Sequence, residues 1–439
     1  MIAFVRLVVW AAVLVSACAP VADLDTATTS SAPSPASTLP SAPASTAPTV
    51  TVPAIAPTTT PASNARAAFI SSTLEGLSLE GKVAQLIMVE FSGSDGSAAL
   101  ALLNRYPLAG FLLKSANGNL VSSSQTRELT ARLQDASSVP LLLAVDQEGG
   151  RIDRIRFEDI VRFPSAEVFG ILNDDALTER AAWATGVQLA SLGINVDFAP
   201  VADVNVLGDA NPAIGDRSYG SDPDVVADMT VAALEGFGRS GVGAAVKHYP
   251  GHGNTRVDSH LGLPVVETDV ATWEATDLVP FAAAVEAGAQ MVMVAHVAFP
   301  ALDPTGAPAS LSELIVGGRL RQQLGFTGVV VTDDLANMAA VSEWGPGERA
   351  ARALVAGSDL LLNPGDIDAA IAAIVDEVET GRLPLAAIDA AAARILGLKF
   401  DLRIKAADTI GPLDQSSRDA VSKVAGDIAA ACAVVSLDC

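Results

Sequence analysis

Residues 242–253 read VGAAVKHYPGHG: an uninterrupted run of small and apolar residues, then lysine, histidine, tyrosine, proline, glycine, histidine and glycine. A strand with one wet face would alternate, whereas continuous hydrophobicity marks a strand buried on both faces, as in a parallel sheet. Seven further runs repeat the pattern, at 84–89, 110–113, 140–145, 194–199, 289–294, 328–331 and 359–362, and helical periodicity follows each, as at 223–239 and 272–287. Eight strand–helix units between residues 65 and 405 predict an α/β fold, a (β/α)8 barrel of the TIM type built as one domain. The glycine-rich turns lack GxGxxG or P-loop spacing, which argues against a doubly wound nucleotide-binding sheet.

The chain has 439 residues, half of them hydrophobic, and 27 basic against 50 acidic side chains leave a net charge of −23. Mean hydropathy is +0.39 and the pI near 4.4. That balance excludes a nucleic-acid partner held by phosphate contacts. The three cysteines, Cys18, Cys432 and Cys439, flank the predicted barrel, so neither a disulfide framework nor a CxxC zinc site organises it. Whether Cys432 and Cys439 pair is left open.

Residues 1–18 carry one basic residue, Arg6, an apolar run too short to span a bilayer, and the ending Val15-Ser16-Ala17-Cys18. The ending resembles a lipoprotein signal with Cys18 as the lipidated residue, and it predicts a body outside the cytoplasm, lipid-anchored in the cell envelope. An ordinary signal peptide with Cys18 incidental is the alternative. From 19 to 64 the chain is rich in Ala, Ser, Thr and Pro, a composition that cannot bury enough surface to offset its ordering entropy, so it reads as a disordered tether. The tail at 406–439 is too short for an independent domain, and its role is not readable.

Chemistry in a parallel barrel collects where strands end. The third run leads into Asp146-Gln147-Glu148-Gly149-Gly150-Arg151, with Arg154 beyond; the fourth leads to Asp203 and Gly215-Asp216-Arg217-Ser218; the fifth ends in Lys247-His248 and continues to Asp258-Ser259-His260; the seventh ends in Thr332-Asp333-Asp334. All four histidines lie between 248 and 296. His248 and His252 are four apart, but Pro250 and Gly251 break any helix between them, so a two-histidine zinc face is excluded. Lys247 and Arg217 read either as ligand-binding cations or as members of buried ion pairs. Asp203 reads equally as a substrate contact or as a support for one. Trp273 and Trp344 read as packing residues.

The segments KHYPGHGNTRVDSH, DQEGGRIDR, GDRSYGSD and VVVTDDLANM resemble the signature segments of glycoside hydrolase family 3, in the β-N-acetylglucosaminidase branch, over residues 67 to 400. The departures, Tyr249 for a usual phenylalanine and Asp153 for glutamine or valine, touch no catalytic position. The resemblance implies a retaining exo-β-N-acetylglucosaminidase acting on peptidoglycan fragments, a carbohydrate substrate, without cofactor or metal, and working as a monomer. It implies Asp333 as nucleophile, a choice that chemistry alone leaves open between Asp333 and Asp334. His260, held by Asp258, becomes the general acid and then base, and the two-residue spacing lets the carboxylate orient the ring and favour imidazolium. Asp146, Arg154, Arg217, Lys247 and His248 become the sugar-binding set. The second domain of longer homologues is not expected, so the loop after the fifth strand must complete the site and order on substrate. A β-glucosidase, a phosphorylase, or a sugar-binding lipoprotein without turnover are the competing readings.

Overall fold

Each of the eight apolar runs supplies one strand of a single ring: β1 (Ile87–Val89), β2 (Gly110–Leu112), β3 (Leu142–Val145), β4 (Val196–Asp197), β5 (Gly243–Tyr249), β6 (Met291–Val294), β7 (Val329–Thr332) and β8 (Leu361–Leu362). Neighbours pair in parallel in the order β8-β1-β2-β3-β4-β5-β6-β7, with Met88 opposite Gly110, Ala144 opposite Val196 and Val292 opposite Val330. The ring closes through a bridge between Val331 and Leu360. Every strand residue is buried, so the barrel is a packed core rather than a pore. Gly110 is required where β2 meets β3, because a Cβ there would stand 1.8 Å from the Leu142 carbonyl oxygen. The computed structural model describes residues 61–404, 410–437 and 439. The predicted leader, Cys18 and the tether as far as residue 60 lie outside the described residues. The first helix, Pro61–Glu75, begins inside the stretch read as tether.

Two local departures from the sequence reading have physical causes. Only Val196–Asp197 of the run at 194–199 forms a ladder. The Asn195 side chain takes over the pairing before it, accepting from the Leu143 N–H at 2.9 Å and donating to the Leu141 carbonyl at 2.9 Å. The helix read over 272–287 is two helices, Val270–Ala275 and Leu278–Glu286. Pro280 lacks an N–H and its ring would clash with the carbonyl four residues back, so the helix must restart around it.

An antiparallel hairpin, Gln147–Gly149 with Ile152–Asp153, leaves the end of β3. Its turn uses Gly149 at φ +89° and Gly150 at φ +53°, a backbone region that favours glycine. The hairpin is pinned by Asp197, whose Oδ1 accepts from the Gln147 N–H at 2.9 Å. The Gln147 side chain then bonds Asp153 at 2.6 Å and accepts the Arg154 N–H at 2.9 Å.

The tail is part of the body. Asp414 caps the helix Gln415–Val434, and Val421, Val424, Ile428 and Cys432 form one buried stripe in a cluster with Ala181 and Ala184 of the helix Asp175–Ser191. Arg180 and Asp427 pair across the contact at 2.5 Å. Cys432 and Cys439 form a disulfide, answering the question of their pairing. Ile428 is 2% exposed, so Ile428→Ala should lower unfolding free energy by about 2–4 kcal/mol, read from urea melts. An unchanged midpoint would mean that the tail is not docked in solution.

Candidate active site

A carboxylate at the root of the hairpin organises the mouth of the barrel. Glu148 receives Lys247 Nζ at 2.6 Å and a two-pronged contact from Arg217, Nε at 2.7 Å and Nη2 at 2.8 Å. Lys247 also donates to Asp146 at 2.9 Å. Burial opposes ionisation of Glu148, but the charges of Arg217 and Lys247 overcome it and hold its carboxyl well below the usual range. Both cations are therefore members of buried ion pairs, one of the two readings of the sequence, and both also line the cavity.

Asp203 resolves as a support. Fully buried, it accepts from His248 Nδ1 at 2.7 Å and from the His252 N–H at 2.6 Å, and it does not line the cavity. Burial works against its charge, yet His248 and His252 keep its carboxyl below the ordinary carboxylate range. His248 is thereby fixed with Nε2 near Arg217 Nη2, 3.3 Å away. His252 is buried, meets Thr255 Oγ1 at 2.6 Å, and burial pushes its pKa down to about 4.

The two acids that end β7 separate by role. Asp334 is a tie: Oδ1 accepts the N–H groups of Ala336 and Asn337, each at 2.9 Å, and Oδ2 accepts Asn337 Nδ2 at 2.8 Å and Asn363 Nδ2 at 3.2 Å. Asp333 has one side-chain contact, the Asp334 N–H to Oδ1 at 2.8 Å. Its ionisation is opposed by burial and favoured by His248, His296, the Asp334 N–H and Lys247, which together hold the carboxyl below its usual range. His296 is structural: fully buried, it donates from Nε2 to the Asp334 carbonyl at 3.1 Å and meets Ser310 Oγ at 2.6 Å. Asp333 is thus a charged carboxylate on a rigid mount.

The loop after β5 carries Asp258 and His260, the pair expected from the resemblance to transfer the proton. Asp258 Oδ1 accepts both the His260 N–H at 2.9 Å and Nδ1–H at 2.7 Å, so one oxygen closes the turn and aims the ring. The His260 side chain is 60% exposed. The Ala340 N–H donates to the Ser259 carbonyl at 3.2 Å, which joins this loop to the one bearing Asp333.

One cavity is lined by all eight residues singled out in the sequence: Asp333, His260, Asp258, Asp146, Arg154, Arg217, Lys247 and His248. Arg154 lines the cavity, and its buried Nε has no hydrogen-bond partner among the described residues. Glu148 and Lys114 also line the cavity and carry no role in the sequence reading. Lys114 follows the second apolar run as Lys247 follows the fifth, and that was its available signal. Trp273 is buried with Nε1 donating to the Pro250 carbonyl at 2.9 Å, and Trp344 stacks under Arg352; neither lines the cavity. Tyr249 packs edge-on against Phe281.

Residues 78–398 match the Glycosyl hydrolase family 3 N terminal domain. The chain belongs to glycoside hydrolase family 3. This family 3 chain is 37% identical over 330 residues to beta-hexosaminidase A of Pseudoalteromonas piscicida, covering 69% of the chain and 54% of that protein; it thus spans about half of that relative's length. Among solved structures it is similar to a family 3 beta-N-acetylglucosaminidase from Paenibacillus sp. str. FPU-7, with 37% identity, TM-score 0.74, and coverage of 79% and 68% of the two chains. It is also similar to M tuberculosis LpqI, with 32% identity, TM-score 0.69, and coverage of 75% and 96%.

Glu148 and Asp203 titrate below their unfolded values in the folded protein, so the stability they contribute is present above about pH 4 and lost as pH falls below it. Glu148→Gln should cost about 3 kcal/mol at pH 7 by leaving cations unpaired and should flatten the acid limb of the melting temperature against pH. An acid limb identical to the parent's would remove Glu148 from this role.

Proposed function

We propose that this protein is an exo-acting β-N-acetylglucosaminidase with a retaining mechanism, releasing N-acetylglucosamine from the non-reducing end of peptidoglycan fragments. The observation that carries the reading is the sharing of one cavity by the Asp333 carboxylate and the Asp258–His260 pair. A retaining glycosidase needs a carboxylate that attacks the anomeric carbon and a proton donor for the departing oxygen. Asp333 is charged and has one oxygen without a side-chain or backbone partner among the described residues. His260 has Nδ1 committed to Asp258, so Nε2 protonates the leaving group and later deprotonates the incoming water. Asp146, Arg154 and the Lys247–His248 pair suit recognition of ring hydroxyls and an N-acyl group, because ionised partners make the stronger hydrogen bonds.

A slow fluorinated N-acetylglucosaminide should leave one covalent adduct, on the peptide bearing Asp333, by mass spectrometry. His260→Ala should lower kcat/KM about 10²- to 10⁴-fold on substrates with a poor leaving group and far less on an activated aryl glycoside. An adduct on another residue, or equal losses on both leaving groups, sinks the mechanism. A glucoside cleaved faster than the glucosaminide, or turnover that depends on phosphate, moves the assignment to a β-glucosidase or a phosphorylase.

We also propose a lipid anchor at Cys18, supported by the Val15-Ser16-Ala17-Cys18 ending and the Ala/Ser/Thr/Pro-rich stretch after it. Labelled palmitate should enter the full chain and not Cys18→Ser. Equal labelling of the two overturns the anchor.

A further inference from the structure

Lys114 stands two residues beyond β2, on the cavity wall with Asp146, Asp333 and Asp334. Its Nζ pairs with Glu90, and Asn117 Nδ2 steadies that carboxylate at 2.8 Å. The other carboxylate within reach is Asp334, at 3.5 Å, too far for a good hydrogen bond and already saturated by Ala336, Asn337 and Asn363. An ammonium has three protons to donate. Glu90 takes one, and among the described residues Lys114 has no second close acceptor. Lys247 differs in having two close acceptors, Asp146 and Glu148, and Arg217 gives two of its N–H groups to Glu148. Burial opposes the charge on Lys114, but Glu90, Asp334 and Asp146 more than restore it, so the cation persists in a side chain only 25% exposed.

We propose that Lys114 is a further sugar-binding and specificity-determining residue, donating a hydrogen bond to one ring hydroxyl of the bound pyranose from the β2 side of the cavity. The inference rests on reading the cavity as a sugar site. A charge-assisted bond to one hydroxyl gives discrimination, because a sugar lacking that hydroxyl leaves the ammonium proton unanswered in a half-buried place. Through Asp334 the same side chain borders the mount of Asp333, so the contact lies close to the reacting centre.

The test uses the full chain with aryl N-acetylglucosaminides lacking the 3-, 4- or 6-hydroxyl. With the parent protein, one of the three should lose on the order of 10- to 100-fold in kcat/KM. Lys114→Met should lose the same factor on the complete sugar and no more on that one deoxy sugar, a non-additive cycle, while Lys114→Arg recovers part of the loss. Because Lys114→Met strands Glu90, the double variant Glu90→Gln/Lys114→Met is measured alongside, with a thermal melt for each. Equal proportional losses on all three deoxy sugars, or no loss, overturn the proposal by giving Lys114 a merely structural role. A parent that binds free N-acetylglucosamine by calorimetry yet cleaves no glucosaminide overturns the activity reading instead. The cycle on Lys114 is then closed by binding of the deoxy sugars.

Discussion

The site depends on one buried carboxylate. Glu148 sits where β3 turns into the hairpin and neutralises Lys247 from the end of β5 and Arg217 from the loop after β4. Burying two cations without partners would cost several kcal/mol each; with Glu148 and Asp146 present, the charges cancel within the cluster. Asp197, whose Oδ1 accepts the Gln147 N–H at the root of the same hairpin, has its carboxyl raised well above the usual range by burial. Within this cluster two cations therefore face two carboxylates.

Around that cluster the fold separates rigid from accessible chemistry. Asp333 stands on a strand end fixed by Asp334, Asn337, Asn363 and His296, while His260 stands on a loop, exposed and aimed by Asp258. An attacking group gains from a rigid mount because misplacement is costly in rate. A proton donor must reach varied leaving groups and exchange with solvent. The two demands fall on different elements, joined by the hydrogen bond between Ala340 and Ser259.

Much of this was legible in the chain. Continuous apolar runs located all eight strands, and the polar clusters after them contain the eight residues that the family resemblance assigns to the site, all of which line one cavity. Less was visible for the supports. Asp203, Glu148 and Lys114 act through neighbours 45, 69 or 24 residues away, and no local pattern reports which distant group a side chain will meet. The tail had no readable role for a different reason: its stripe Val421, Val424, Ile428 and Cys432 is a regular helical face whose partner lies far away in the chain.

Periodicity and the residues that interrupt it determined by themselves the strand count and the barrel, because burial on two faces and helix breaking are local properties of the chain; the candidate reactive side chains came from the resemblance of four segments to the family. Only the tertiary structure decided the roles within each cluster. Whether Asp333 or Asp334 is free, whether Asp203 faces ligand or protein, and how many acceptors each lysine meets depend on hydrogen bonds made across the ring, and those partners become neighbours only when it closes.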